Sequence, residues 1–266
     1  MNFPEYENYF GLGGNTVNSL REIEYNWVRL ENFDIRPMFR FHSTKSSSLD
    51  FGLVYQYRDV QRSDNRIAVE LLDDDAFSHR SYLGANLDYQ LGFVDHKVFP
   101  ANGFMFAASG SHLRETSRDE SVSQFELGAK FYVQLLVRPK LVFAHRTGFA
   151  KSYGERQFYH YPSIGNNHGL RGFRNERFRG DASLFFNQDI RMKLIKWNNH
   201  FIPMDIGILA GYDIGKVYYQ SAAENPWHTS QSLGMWFDLL GIMVLQTSYS
   251  LNVEQNTFSV QMGFSF

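Results

Sequence analysis

Thr257-Phe258-Ser259-Val260-Gln261-Met262-Gly263-Phe264-Ser265-Phe266 alternates apolar with small or polar residues throughout and finishes on an aromatic ring. Successive side chains of an extended strand point to opposite faces. The stretch therefore predicts a strand with Phe258, Val260, Met262, Phe264 and Phe266 on one apolar face. Thr257, Ser259, Gln261, Gly263 and Ser265 make the other face small and polar. A soluble sandwich and a membrane barrel both use such strands, so the rest of the chain has to separate them.

Working backwards from this strand, clusters of Gly, Asn, Ser and Asp divide the chain into alternating segments. They lie near 18–30, 33–42, 48–60, 80–93, 102–115, 121–133, 136–150, 181–194, 203–217, 231–239, 241–251 and 256–266. Roughly ten residues is the length that crosses a bilayer at a tilt. Phe33, Ile35, Phe39 and Phe41 oppose Asp34, Arg36, Arg40 and His42. Leu49, Phe51, Leu53, Tyr55 and Tyr57 oppose Asp50, Gln56 and Arg58. No segment carries a helical period. The pattern predicts about twelve strands, an even number as in single-chain bacterial barrels.

The connections alternate in length. Those after odd strands include the long ones, 61–79, 151–180 and 218–230, while those after even strands are short or moderate, such as Ser43 to Ser47 and Leu239-Leu240. Long external loops paired with short periplasmic turns are the rule for outer-membrane barrels; a sandwich imposes no such parity. The prediction is an all-β transmembrane antiparallel barrel over 18–266, preceded by an N-terminal segment 1–17.

Composition agrees. The 266 residues carry 17% aromatics, with 25 Phe and 15 Tyr, yet mean hydropathy is −0.37. An apolar lipid face, a polar lumen and aromatic girdles produce this combination. The longest apolar run, Leu239 to Leu245, falls far short of the ~18 residues of a spanning helix, which excludes a helical membrane protein. The absence of cysteine excludes a disulfide scaffold or a thiolate metal site, and a net charge of −2 gives no sign of a nucleic-acid partner. Met1-Asn2-Phe3-Pro4-Glu5 lacks the basic start and apolar core of a signal peptide. A mature, re-engineered or partial chain is the expectation. The closing strand, ending in Phe266, resembles the C-terminal sorting strand of bacterial outer-membrane barrels.

The longest connection reads Ile164-Gly165-Asn166-Asn167-His168-Gly169-Leu170-Arg171-Gly172-Phe173, then Arg174-Asn175-Glu176-Arg177-Phe178-Arg179-Gly180. The next strand holds Asp189-Ile190-Arg191 and the one after it Tyr212-Asp213-Ile214-Gly215. In content and order these resemble the BamA/TamA bacterial surface-antigen superfamily. Its hallmark is an aliphatic-Arg-Gly-aromatic tetrad in a long loop folded into the lumen, here Leu170, Arg171, Gly172 and Phe173. An acidic–x–Arg pair (Asp189, Arg191) and an Asp-x-Gly (Asp213, Gly215) follow on the next two strands. The likeness is strong over roughly 160–266 and generic before it. It implies an integral outer-membrane protein of protein insertion or translocation, or the barrel anchor of one. Outer-membrane lipid and lipopolysaccharide would surround it, the barrel assembly machinery would insert it, and a protein would be its substrate. The pattern departs from the family in having about seven strands before the motif loop rather than eleven. It also has no room for a POTRA domain before the first strand, so it reads as a compact relative or a fragment.

Alternation places Ile206, Ile208, Ala210, Tyr212 and Ile214 on lipid and Gly207, Leu209, Gly211, Asp213 and Gly215 inward. Inward glycines leave room for a second chain segment against the wall. An arginine entering a partly dry lumen needs a planar acceptor, and paired guanidinium–carboxylate bonds are the strong kind. Arg171 with Asp213, and with Asp189 in reach, is the expected lock; the alternative is that Arg171 is one more solvated residue of an external loop. Arg174, Arg177 and Arg179 read equally as an anion-selective constriction or as residues facing solvent or lipid phosphates.

Other chemistry finds little footing. The nine histidines have no ligand spacing, so no metal or other cofactor is expected. Asp73-Asp74-Asp75 reads as a solvated loop, with cation bridging to lipopolysaccharide as the alternative. No nucleophile elbow is present, and no enzymatic activity is expected. The two further readings are a passive pore or structural barrel without assembly activity, and an outer-membrane lipid-active enzyme.

Overall fold

The computed structural model describes residues 5–18, 23–166, 168–197 and 203–264. Ser265 and Phe266 of the closing strand lie outside the described residues. The long alternating segments form strands β1 (Glu5–Asn8), β2 (Trp27–Ile35), β3 (Met38–Thr44), β4 (Ser47–Gln61), β5 (His79–Val94), β6 (Gly103–Glu115), β7 (Ser121–Leu136) and β8 (Leu141–Gly154). The motif loop holds the two-residue strands β9 (Ser163–Ile164) and β10 (Phe178–Arg179), which pair with each other. Then come β11 (Ala182–Trp197), β12 (Met204–Tyr218), β13 (His228–Leu239), β14 (Met243–Asn252) and β15 (Asn256–Met262). Only a five-residue α1 (Ile67–Leu71) and short 3-10 turns interrupt the strand pattern among the described residues.

All but β9 and β10 belong to one 13-stranded antiparallel sheet in the order β1-β2-β4-β5-β6-β7-β8-β11-β12-β13-β14-β15, with β3 also on β4. The two strands expected at 18–30 and 33–42 are corrected to a single column. β2 pairs with Tyr55 to Gln61 of β4, and β3 with Ser47 to Gly52. Pro37 breaks the column because it has no N–H to donate. Its carbonyl accepts from Leu53 N at 3.2 Å, and the wall tolerates the kink because Gly52 opposite has no Cβ to strike Pro37. Strand pairing also begins at Glu5, inside the segment that the sequence set apart as 1–17.

The sheet curls into a barrel. Phe99, in the connection after β5, packs at a tilt against Trp236 of β13 with ring centroids 4.9 Å apart. Asn18 and Arg177 both bond Glu254 in the β14–β15 turn. Among the described residues no ladder joins β15 to β1 or β2. The long connections 62–78, 155–181 and 219–227 sit at one end, the loop end, and the turns 45–46, 137–140 and 240–242 at the other.

Outward side chains form an apolar belt around the wall. Phe39 is 73% exposed, Leu233 67% and Phe258 66%, with Trp197 and Trp227 also exposed towards opposite ends. A continuous belt of this kind belongs against lipid. Among the described residues no helix is long and apolar enough to cross a membrane, which does not bear on crossing by strands. One face assignment is corrected. Phe258, Val260 and Met262 point outward, but Phe264 packs inward against Phe99 and Trp236. Gly263 has φ +84°, a left-handed conformation that breaks the two-residue period, so the next side chain swings to the other face.

Candidate functional site

The inward faces of β11 and β12 are built to receive the motif loop. Their register sets Asn187 opposite Asp213 and Asp189 opposite Gly211. The two aspartates thus face the lumen diagonally across a position with no side chain. Gly211 is where the loop enters: a Cβ there would lie 2.6 Å from Ser232 Oγ and 2.7 Å from Asp189 Oδ1, and would strike the Arg171 guanidinium. Gly169, at φ +93°, makes the bend that aims the chain. Phe185 covers it, and its carbonyl accepts from Asn187 Nδ2 at 2.8 Å.

Arg171 enters the lumen. Its backbone N–H donates to Asp213 Oδ2 at 3.0 Å, Nε to the same oxygen at 2.8 Å and Nη2 to Oδ1 at 2.6 Å. Nη1 donates to Asp189 Oδ1 at 2.8 Å, and Ser230 Oγ donates to Asp213 Oδ2 at 3.3 Å. Arg191 Nη2 holds the other oxygen of Asp189 at 3.1 Å, and its guanidinium lies 3.9 Å from the centre of the Phe264 ring. All four charged residues are buried. Two cations and two anions close the network without net charge, which buried ions require. Burial disfavours the Arg171 cation, but the two carboxylates outweigh it and hold the group charged. Leu170 and Phe173 pack with Ile164, Phe178, Phe185 and Val217. Gly215 leaves room for this cluster, with Phe185 Cβ 3.0 Å from where its own Cβ would sit.

The loop also reaches both edges of the sheet. Gly172, at φ +82°, turns its carbonyl to Gln255 Nε2 at 2.8 Å and to Thr257 Oγ1 of β15 at 3.0 Å. Arg174 Nη2 donates to Asn8 Oδ1 of β1 and to the Ile23 carbonyl, each at 2.8 Å. Arg177 pairs with Glu254 at 2.7 Å and donates to Thr16 Oγ1 at 2.6 Å. Arg179 pairs with Glu7 of β1 at 2.8 Å. Arg177 and Arg179 are buried and paired with carboxylates, so the reading of them as facing solvent or lipid phosphates is corrected. Arg174 is half-buried and held by neutral oxygens, and Arg179 also lines the luminal cavity. Their partners carry no sequence signal, since Arg179 and Glu7 are 172 residues apart.

Of the triple aspartate, Asp75 is held by Arg80 and Arg118, and the exposed Asp74 pairs with Arg62. Beside the loop, His160 packs edge-on to Tyr82 at 5.0 Å. Burial, with Arg58 and Arg80 nearby, pushes its pKa down to about 3. Among the described residues no group of three or more His, Asp or Glu is placed to hold a metal ion. The nearest approach to a nucleophile and base is Ser123 with His112, 2.8 Å apart on the outer surface of the wall. No carboxylate or amide among the described residues orients the far nitrogen of that imidazole, as hydrolytic triads require.

A similar fold occurs in a solved structure. The crystal structure of BamA from Haemophilus ducreyi lacking POTRA domains 1–3 matches with a TM-score of 0.68 at 15% identity, covering 90% of this chain and 54% of that one. The fold is that of a BamA-like barrel. The chain spans about half the length of that solved chain. No family model matches the sequence, and no curated protein does.

Proposed function

We propose that this chain forms an integral outer-membrane barrel of the BamA/TamA type and acts in the insertion or translocation of proteins there. The observation that carries this reading is the seam. β1 and β15 share no ladder among the described residues; instead one short stretch of the locked loop, Gly172 to Arg174, holds Thr257 on one side and Asn8 on the other. Unpaired strand edges are templates for another strand, and lipid cannot satisfy them. A side-chain clasp opens at far lower cost than a closed ladder. Outer-membrane lipid and lipopolysaccharide surround the belt, the barrel assembly machinery inserts this chain, and a second protein is its substrate. The work is mechanical, with no catalysed bond making or breaking.

The test is reconstitution in vesicles, with an unfolded outer-membrane protein diluted from urea and its folding rate followed by band shift. The expected result is faster folding than in protein-free vesicles and a further change in rate for the Arg174→Ala/Arg177→Ala double variant. A correctly folded barrel that leaves the rate unchanged sinks the assembly reading. The polar cavity beside β5–β8 supports the passive-pore alternative, which planar-bilayer conductance would reveal. Lipid hydrolysis abolished by Ser123→Ala would favour the enzyme.

A further inference from the structure

We propose that Lys130 and Arg146 form an oxyanion-binding site in the lumen, taking phosphate or a carboxylate group. The two residues stand directly opposite each other on β7 and β8 and both point inward. Like charges in that position repel, so the pair needs either built-in counter-charges or an incoming anion. No ion pair or hydrogen bond satisfies either side chain among the described residues. Of the acids in the same luminal region, Asp213 and Asp189 are bound by Arg171, and Glu126 and Asp88 line the same cavity as Arg146 without bonding either cation among the described residues.

The wall around the pair is cleared for a ligand. In the next inward row, Gly128 lies opposite Gly148 and Ala107 opposite Gly128. A Cβ at Gly128 would meet nothing within 4 Å. The space over Gly128 belongs to a cavity of about 560 Å³ that Arg146 also lines, while the Phe185 ring covers Gly148. The Arg146 guanidinium is held 5.0 Å from the centre of the Phe185 ring, so its fork is oriented before any ligand arrives. A planar guanidinium beside an ammonium suits an oxyanion, the fork giving paired bonds and the lysine a point charge. The site stands independently of any role in protein assembly.

The test uses the whole chain refolded in detergent at constant ionic strength, with sodium phosphate replacing sodium chloride and thermal unfolding as the readout. A ligand that binds only the folded state raises the unfolding temperature. Wild type should rise with phosphate beyond its response to chloride. Lys130→Gln and Arg146→Gln should each weaken the apparent affinity by about tenfold or more. Arg146→Lys, which keeps the charge but loses the fork, should fall between wild type and Arg146→Gln. Gly128→Leu should fill the bay and abolish the response. Acetate matching phosphate would assign the carboxylate class, and a response to phosphate alone would assign the dianion. In oxyanion-free buffer Lys130→Gln should be at least as stable as wild type, because it removes a repulsion. The proposal is overturned by a wild type that answers phosphate no differently from chloride, by unchanged binding in Arg146→Gln, or by a Lys130→Gln variant less stable without ligand.

Discussion

The barrel has a filled half and a hollow half, and both are made from strands of the same pattern. Along β11–β15 the inward positions alternate glycine or serine with a few committed polar residues: Asn187, Asp189, Gly211, Asp213, Ser230 and Ser250. The loop 163–179 lies against them and leaves all but the half-buried Gly211 buried. Along β4–β8 the inward positions include Asp88, Ser109, Gln124, Glu126 and Arg146, and they border open cavity. Both halves are polar inside and apolar outside. What separates them is whether small residues coincide with a carboxylate that can take a guanidinium from another part of the chain. A polar lumen face is a place for water by default, and it becomes a docking face only where shape and charge agree.

The largest expected break in this contrast is at Asp213. Removing one partner of a buried ion pair strands the other charge and costs ~3–5 kcal/mol. Asp213→Ala should therefore lose several kcal/mol in urea unfolding, whereas Glu126→Ala, facing open lumen, should stay within the ~0–1 kcal/mol of exposed groups. Arg171→Ala should match Asp213→Ala, and the double variant should lose less than the sum of the two. Additive losses would show that Arg171 and Asp213 act separately.

A smaller effect contrasts glycines. Gly211→Val forces a side chain into the space of Arg171, and overpacking costs ~1–3 kcal/mol. Gly128→Val meets open space and should be neutral within ~0.5 kcal/mol. Equal losses by thermal unfolding would mean that the hollow half is packed after all.

A comparable effect, in pH, concerns His160, whose backbone carbonyl accepts from Gln124 of the hollow half. Its folded pKa is depressed to about 3, against ~6.5 unfolded. Between those values the unfolded chain binds the extra proton, so stability falls as pH drops, by at most ~1.4 kcal/mol per pH unit. His160→Gln should unfold with a shallower acid dependence than wild type between pH 6 and pH 4. Superimposable profiles would place His160 in water.

Much of the wall was legible from alternation because the pleat has a period of two and the two solvents, lipid and water, differ sharply. The inward placement of Asp189 and Asp213 follows from that period alone. The failures share a cause. Pro37 and Gly263 are single-residue changes in backbone geometry, and each resets the period of the residues after it. Pro37 merges two expected strands into one column, and Gly263 turns Phe264 from lipid to lumen. Arg174, Arg177 and Arg179 looked free because their partners Asn8, Glu254, Thr16 and Glu7 sit in segments with no local link to them.

By itself the amino-acid sequence determined the strand periodicity, the outward apolar belt, the alternation of long and short connections and the luminal face of the strands that carry Asp189 and Asp213. These are local properties, set by the pleat and by the chemistry of neighbouring side chains. Only the tertiary structure decided which luminal residues the loop covers, how its arginines are neutralised and where the sheet edges meet. Asn8 and Glu176, for example, bond across 168 residues of chain. Such contacts depend on curling the sheet until both edges come within reach of one loop, and no short-range pattern encodes that distance.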